Sequence, residues 1–451
     1  MSPARSLAWG VIFAVETKGA FADLALAGRL QRARLSAADR RLATRLVYGT
    51  VKHKNTLDWA LGSYLRQGLS HTPLPALLIL RLAAYQLYYL ERIPAAAVCH
   101  EAVAMAKKHC PGQAGLVNAV LRRILRDECR LPFPSRDRNP LAYLSRKYSH
   151  PEWLLERWLS RLGLDETEKL CAANNEDAPL VLRVNTLKGD RQGLLQRLAE
   201  EGLSGEPATY APDAVVVPGQ VDLTGAGFFQ AGLALAQDEA SILVGHLLRP
   251  RSGSLVIDAC AGPGTKTTHL AQLMGDAGEI VALDIHPHRL DLVAENCRRL
   301  GLTSVRTMAM DARELGKSPW AGRARFILLD APCSGTGALR RRPDIRWRQS
   351  PEKVAESTRL QRDLLEAAVC ALAPGGEMVY STCSLLAEEN EAAVRDVLDR
   401  HPEIEVADLG PWPGPREAVQ PDGTVTLWPQ RHGTDGFFMA RLRRRVGHGR
   451  A

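Results

Sequence analysis

The spacing of apolar positions changes along the chain, and the change divides it. Up to about residue 145 they recur every three or four positions. The stretches "ALLILRLAAYQLYYLERI" and "CHEAVAMAKKHC" show this, and "GQAGLVNAVLRRILRDE" repeats it with Arg122, Arg123 and Arg126 on the polar side. That period predicts helices. The opening "MSPARSLAWGVIFAV" sets Arg5 before an apolar core, as a signal peptide does. It lacks a small-residue cleavage site, and "ETKGAFADLALAGRL" continues the helical period, so a first helix is expected instead. The segment "LPFPSRDRNP" (Leu131–Pro140) is rich in proline and charge and predicts a linker.

Beyond the linker, "YSHPEWLLERWLSRLG" predicts one more helix, opened by a Ser-x-Pro start. "APLVLRVNTLK" and "DAVVVPG" are short and β-branched, as strands are. From about residue 236 a helix is followed by strands alternating with helices: "SLVIDACAG", "EIVALDIH", "SVRTMAMDA", "RFILLDAPC" and "EMVYSTCS". This order predicts a doubly wound, mostly parallel sheet. The expected organisation is a helical domain over 1–140, a small α/β region over 146–235, and a Rossmann-like domain over 236–446. The basic tail "RLRRRVGHGRA" is expected to fray.

Composition narrows the function. With 451 residues, 45% hydrophobic and 24% charged, the chain can bury more than one core. No apolar run is long enough to span a bilayer. Nine cysteines, an odd number with no C-x-x-C pair, argue against a disulfide framework and against zinc, and fit free thiols in a reducing cytoplasm. The net charge of +8 is unevenly placed: residues 1–145 carry 21 Lys and Arg against 9 Asp and Glu, and the remainder carries 37 against 41. The basic third fits a polyanion such as a nucleic acid, or equally an Arg-rich helical domain with no such partner.

In a doubly wound sheet, ligands bind outside the carboxyl ends of the strands. The unusual residues lie there. After "SLVID" comes "ACAGPGTKTTHL", where Gly262 and Gly264 allow a tight turn and a close backbone approach. The loop is not G-x-G-x-x-G and lacks the full P-loop pattern, so ATP is not expected. Asp284 ends the next strand, 20 residues after Gly264, near the spacing at which a carboxylate grips a ribose. Asp311 follows the third strand, where it can accept from an exocyclic amine. Any one of these aspartates alone is more simply a helix cap. In successive register they favour an adenosine-containing cofactor. The fourth strand leads into "DAPCSGTGALRRRPDIRW", with Asp330 and Cys333 in a Gly-rich loop. Arg340, Arg341, Arg342, Arg346 and Arg348 with Trp347 form a natural surface for phosphate and base contact, or a solvated charged turn.

Two strand-like runs thus deliver a thiol to their ends, Cys333 and Cys383. A thiolate that adds to C6 of cytosine turns C5 into a nucleophile toward an electrophilic methyl. A carboxylic acid near the N3/N4 edge is wanted as well, and Asp330 supplies it if its proton is retained. A second thiol can serve as a proton shuttle in the elimination. Which thiol attacks stays open from the residues alone. Cys99, Cys110, Cys129, Cys171, Cys297 and Cys370 are expected to be inert buried thiols, and Cys260 a lining residue.

The motif series "DACAGPGTKT", "ALDIHPHRL", "DAPCSGTGALRRRPDIRW" and "YSTCS" resembles that of the NOL1/NOP2/Sun family of RNA cytosine-C5 methyltransferases. "FQAGLALAQDEAS" and "LWPQRHGTDGFFMARL" resemble its flanking motifs. "DRRLATRLVYGTVKHKNTLDW" and "LVNAVLRRIL" resemble the NusB-like RNA-binding domain, a fusion typical of bacterial 16S ribosomal RNA methyltransferases. The resemblance implies an all-α NusB-like domain, a small α/β RNA-recognition region, and a Rossmann-like catalytic domain using S-adenosylmethionine. It implies a cofactor loop of Cys260, Ala261, Gly262, Pro263, Gly264, Thr265 and Lys266, with Asp284 on the ribose, Asp311 on the adenine, and Asp330 beside the methyl and the base. It orders the thiols: Cys383 as nucleophile, Cys333 assisting release. The expected substrate is 16S rRNA. A tRNA, another rRNA site, or non-enzymatic RNA binding are the alternatives. A cytoplasmic monomer without metal or membrane contact is expected. Thr265 departs from the family's usual Ala-Pro-Gly-Gly-Lys loop, and would be costly if that position needs a positive φ.

Overall fold

The computed structural model describes residues 2–219, 221 and 223–446; of the tail expected to fray, Arg441–Arg444 instead end a strand, because they pair with neighbouring strands, and residues 447–451 lie outside the described residues. Two compact units divide the chain. One holds the chain up to Glu176 together with Leu339–Arg348, and the other holds Asp177–Ala338 and everything from Gln349 onward.

The first unit is helical. From Pro3 onward, the stretch that resembled a signal peptide lies within the helix Pro3–Lys18. The helix Leu74–Tyr89 buries every residue from Ala76 to Gln86. An element apolar all round can only be stable inside a core. Its one cation, Arg81, is matched by Asp58 through Nε and Nη2 at 2.6 and 2.8 Å. Helix starts follow capping chemistry: Ser36 accepts from the Asp39 N–H and Asn139 from the Ala142 N–H. The helix Glu152–Ala173 is broken at Gly163, whose φ is 75°. By packing it falls with this helical unit.

The second unit contains two sheets. The smaller comprises β1 (Leu180–Val184), β2 (Glu206–Pro207), β3 (Ala214–Val217) and β4 (Ala234–Ala236), in the order β2-β3-β1-β4. The larger has eight strands: β5 (Leu255–Asp258), β6 (Glu279–Asp284), β7 (Val305–Ala309), β8 (Ala324–Asp330), β9 (Leu372–Thr382), β10 (Ile404–Val406), β11 (Val425–Leu427) and β12 (Phe437–Arg444). Its order is β10-β12-β9-β8-β5-β6-β7, with β11 on β12. Strands β5 to β9 are mutually parallel, as the alternating pattern predicts. β12 joins antiparallel to β9, with Phe438 opposite Thr382. The central strands are buried on both faces, Ile257, Leu283 and Leu329 on one and Val256, Ala282 and Leu328 on the other. Such strands lose polar alternation and become continuous apolar runs.

Of the six cysteines expected to be buried, only Cys171 and Cys297 are. Cys99, Cys110 and Cys129 are half-buried and Cys370 is exposed. A helical period places a residue on a face but does not say how deeply that face is covered.

Candidate active site

Strands β8 and β9 are parallel neighbours with Asp330 opposite Ser381. The chain therefore leaves the sheet twice at the same place, and the two loops meet. The Cys333 and Cys383 sulfurs are 3.4 Å apart. The Cys333 thiol is pushed well above its ordinary range by its hydrogen bond to Cys383, by the protein crowded around it, and by the Cys383 and Glu389 charges. Cys333 keeps its proton, and either thiol can donate across this contact.

Asp330 lies at the end of β8, and both its oxygens are engaged. Oδ1 accepts from Ser381 Oγ at 2.8 Å and Oδ2 from Lys266 Nζ at 2.7 Å. Lys266 is buried and stands 5.0 Å over the Phe437 ring. At the end of β5, Asp258 is fully buried and accepts from Thr267 Oγ1 at 2.7 Å. Burial, assisted by the Asp330 charge, raises its carboxyl to about 7.

The loop from Cys260 to Lys266 connects β5 to the helix Thr265–Leu273. Ala261 N–H donates to Leu283 O and Gly264 N–H to Ala261 O, both at 2.7 Å, and the Pro263 carbonyl accepts from Asn296. A Cβ on Gly262 would come within 2.6 Å of Asp284 Oδ2, and Gly264 has a φ of 98° against Val293. Both positions therefore require glycine. Thr265 does not: it is the first helical residue, and the left-handed turn falls on Gly264. Cys260 has its thiol raised by burial and then by the surrounding carboxylates, and so stays protonated.

Asp284 is buried and accepts from the backbone N–H groups of Gly262 and His286 at 3.2 and 2.9 Å. Asp311 caps the short helix Ala312–Lys317 and is paired with Arg313, whose Nη2 lies 2.6 Å from Oδ2. The Arg313 contact holds the Asp311 carboxyl below its ordinary range. The helix after Gly264 begins without a side-chain cap. Its free N–H groups, a loop that admits no Cβ, and carboxylates at successive strand ends fit an adenosine-type cofactor.

Several residues at this site were not found by sequence reasoning. Arg183, in β1, is wholly buried and donates to Thr265 O at 2.5 Å, Thr268 Oγ1 at 2.9 Å, Gln272 Oε1 at 2.9 Å and Gln237 Oε1. Burial lowers it to about 9, so it is still a cation at neutral pH, holding the start of the loop helix. A charge inside the apolar run "LVLRV" was the available signal. Gln361, Glu389 and Asn390 contact the residues flanking both thiols. The polar run Glu388–Glu391 soon after Cys383 was the signal for Glu389 and Asn390, and Gln361 had none.

One expected surface is corrected. The arginine-rich segment after Cys333 is not a solvent-facing platform. Leu339–Arg348 belongs to the helical unit, where Arg346 is fully buried. Arg346 donates to Ser149 O and Asn175 Oδ1 at 3.0 Å and to Asn174 O at 3.3 Å. Trp347 Nε1 donates to Val51 O at 2.7 Å. Unsatisfied carbonyls at helix ends take up the guanidinium, and this won over exposure. A cavity of about 630 Å³ in the same unit is lined by Trp59, Tyr64, Tyr88, Arg123, Arg126 and Arg130 among others.

Among the described residues, one group sets metal-type ligands together: Asp213, His246 and His269. Its geometry is that of a hydrogen-bonded triad, with each Asp213 oxygen taking one imidazole Nε2 at 2.7 or 2.9 Å.

Comparison with known proteins agrees with this architecture. Residues 2–126 match the NusB family, residues 150–224 the RsmF/B-like ferredoxin-like domain, and residues 245–443 the family described as 16S rRNA methyltransferase RsmB/F. The chain is 38% identical over 448 residues to the probable ribosomal RNA small subunit methyltransferase B of Bacillus subtilis, covering 98% of each. It is 37% identical over 406 residues to the ribosomal RNA small subunit methyltransferase B of Pseudomonas putida, covering 90% of each. The solved structure of PH0851 superposes with a TM-score of 0.83 at 30% identity, over 97% of this chain and 98% of that one. NSun6 from Pyrococcus horikoshii, with SFG, gives a TM-score of 0.60 at 26% identity, over 65% of this chain and 98% of that one. The fold is thus that of an S-adenosylmethionine-dependent RNA methyltransferase. Within that class, the chain belongs to the RsmB/F family of 16S rRNA methyltransferases.

Proposed function

We propose that this enzyme methylates C5 of a specific cytosine in 16S rRNA through a covalent bond between Cys383 and C6. The observation that carries the reading is the pair of thiols 3.4 Å apart at the ends of adjacent strands. The names of the relatives support the small-subunit RNA as substrate, and the solved complex with SFG supports a nucleoside-type ligand. In functional terms, residues 1–140 would dock RNA, 146–235 would recognise it, and 236–446 would carry the chemistry. The basic, aromatic-lined cavity of the helical unit supports the first of these roles.

S-adenosylmethionine, when bound, supplies an electrophilic methyl group. Cys260 to Lys266, Asp284, Asp311 and Asp330 would hold it. Cys383, as thiolate, adds to C6 of the base, and the electron pair displaced to C5 makes that carbon the nucleophile. Asp330, held by Lys266 and Ser381, would meet the N3/N4 edge of the base. After transfer, a water acting as base takes the C5 proton, the C5–H pair closes the C5–C6 double bond, and the C6–S pair returns to Cys383. Cys333, which keeps its proton, donates to the departing sulfur and so stabilises the thiolate that forms. The target base must be unstacked to be reached.

The test is a denaturing gel of the Cys333→Ala protein with S-adenosylmethionine and 16S RNA. A covalent protein–RNA adduct is expected, and it should vanish when Cys383 is replaced too. An adduct that survives loss of Cys383 would reassign the nucleophile. Faster turnover on tRNA than on 16S RNA or 30S particles would reassign the substrate. RNA binding without methyl transfer by the unaltered protein would leave a binding factor.

A further inference from the structure

The two thiol loops are tied to one another through a single buried carboxylate, Glu389. It is wholly buried, just beyond the second thiol loop. Its Oε1 accepts from the Ser334 N–H at 2.8 Å and from Gln361 Nε2 at 3.1 Å. Its Oε2 accepts from Ser384 Oγ at 2.5 Å and from Ser334 Oγ. Ser334 follows Cys333, and Ser384 follows Cys383. The same Gln361 amide donates to Pro332 O at 2.8 Å, so the peptide is held on both sides of Cys333. Asn390 does the same for the other thiol. Its Oδ1 accepts from Thr382 Oγ1 at 2.5 Å, and its Nδ2 donates to Ser384 O at 2.9 Å. Tyr380 anchors the clamp itself, donating from Oη to Glu389 O at 2.6 Å.

We propose that Glu389, with Asn390 beside it, is a positioning residue that holds the two cysteine loops in one register, so that Cys333 stays within reach of the Cys383 sulfur during release. The inference rests on the two-thiol reading above. Neither side chain touches the sulfurs directly, so its effect must come through the loops. A buried carboxylate is suited to this, because each of its oxygens can accept from two donors, and a shift of either loop leaves a donor or the carboxylate without its partner. The distance it fixes matters more for release than for attack. Attack needs only Cys383 and the base. Release needs the second sulfur placed against the first.

The test uses the full-length enzyme, S-adenosylmethionine and 16S RNA. Glu389→Gln keeps the shape: its amide oxygen serves Ser334 and Gln361, and its NH2 can face the two serine hydroxyls. Glu389→Ala removes the strap entirely. The expected result is a kcat loss of roughly tenfold for the first and hundredfold for the second, the scale of a small misplacement of reacting groups. The dissociation constants for S-adenosylhomocysteine and RNA, measured directly, should stay within about twofold because neither binding site is altered, while KM falls together with kcat because the covalent intermediate accumulates. The covalent adduct should accumulate in both variants although both cysteines are present. Folded variants that turn over at the wild-type rate would overturn the inference. So would variants that lose rate without adduct while Cys333→Ala accumulates it. If Cys333→Ala itself gives no adduct, the failure belongs to the covalent chemistry and not to the clamp. Glu389→Gln reports even where the alanine variant does not fold.

Discussion

At the scale of single residues, the cofactor loop shows how one sequence departure can be harmless and its neighbour indispensable. Thr265 replaces a glycine of the usual family loop, yet it sits at a helical first position that any residue can occupy. Gly262 has no such latitude, since a Cβ would meet Asp284 Oδ2 at 2.6 Å. Gly262→Ala is therefore expected to weaken binding of S-adenosylhomocysteine by roughly tenfold or more, a loss of about 1.4 kcal/mol. Thr265→Gly should leave it within about twofold, with a stability change below about 1 kcal/mol. Titration calorimetry on the two proteins checks both. Reversed ranks would show that the strained position had been misplaced. Cys333, Cys383, Asp330 and Asp284 were legible in the sequence because each ends an apolar run where a doubly wound sheet presents its ligands. Arg183, Gln361, Glu389 and Asn390 were not. Their partners are backbone atoms and hydroxyls from distant segments, and no spacing rule connects them.

At the scale of elements, the arginine-rich segment after Cys333 has two readings with opposite consequences. As an exposed platform it would bind RNA. As found, Arg346 is a buried cation whose charge and shape satisfy three acceptors. Burial draws it down to about 9, which leaves it cationic at neutral pH. Arg346→Ala strands those acceptors and opens a cavity, a loss of about 3 kcal/mol. The expected fall in melting temperature for a unit of this size is about 6–12 °C. RNA affinity at a permissive temperature should hold within about twofold, because no phosphate contact is removed. Arg126 and Arg130 give the opposite outcome. Their side chains are 74% and 78% exposed beside the aromatic-lined cavity. Replacing either by alanine should leave the melt unchanged, weaken RNA binding, and reduce the slope of log K against log salt by about one. Salt-dependent binding curves and thermal melts on the three variants separate the readings. Charge and composition could not distinguish Arg346 from Arg126, because burial is decided by what a distant helix end lacks.

At the scale of the whole molecule, periodicity announced helices and then a parallel sheet, and both are present. It could not announce which segments share a core. Glu152–Ala173 and Leu339–Arg348 join the helical unit because their partners are there, and a local period carries no such address. The two units differ in their stake in pH. In the helical unit, burial lowers His53 to about 3 and His150 well below its ordinary value. A histidine buried neutral lets the unfolded chain take up protons that the folded one refuses. Its contribution is complete above about 6.5 and is lost as pH falls from there toward the folded value, at about 1.4 kcal/mol per unit. At pH 5.5 His53 alone should cost this unit about 1.4 kcal/mol, and His150 adds to the loss in the same direction. In the sheet unit, His269, lowered to about 4 by burial, acts in the same direction. Asp258, raised to about 7, acts in the opposite one, since the folded state there binds the proton first. The two offset each other near pH 5.5, so acidification should loosen the helical unit ahead of the sheet unit. Hydrogen exchange at pH 7.5 and 5.5, corrected for intrinsic rates, should show protection falling in Leu74–Tyr89 while β5 and β8 keep theirs. His53 stacks on Tyr89 at 4.1 Å, and phenylalanine preserves that contact without the titrating nitrogen. His53→Phe should therefore remove about 1.4 kcal/mol of the acid-induced loss in the helical unit at pH 5.5. Equal loss in both units, or a His53→Phe protein as acid-sensitive as the parent, would place the titrating groups elsewhere.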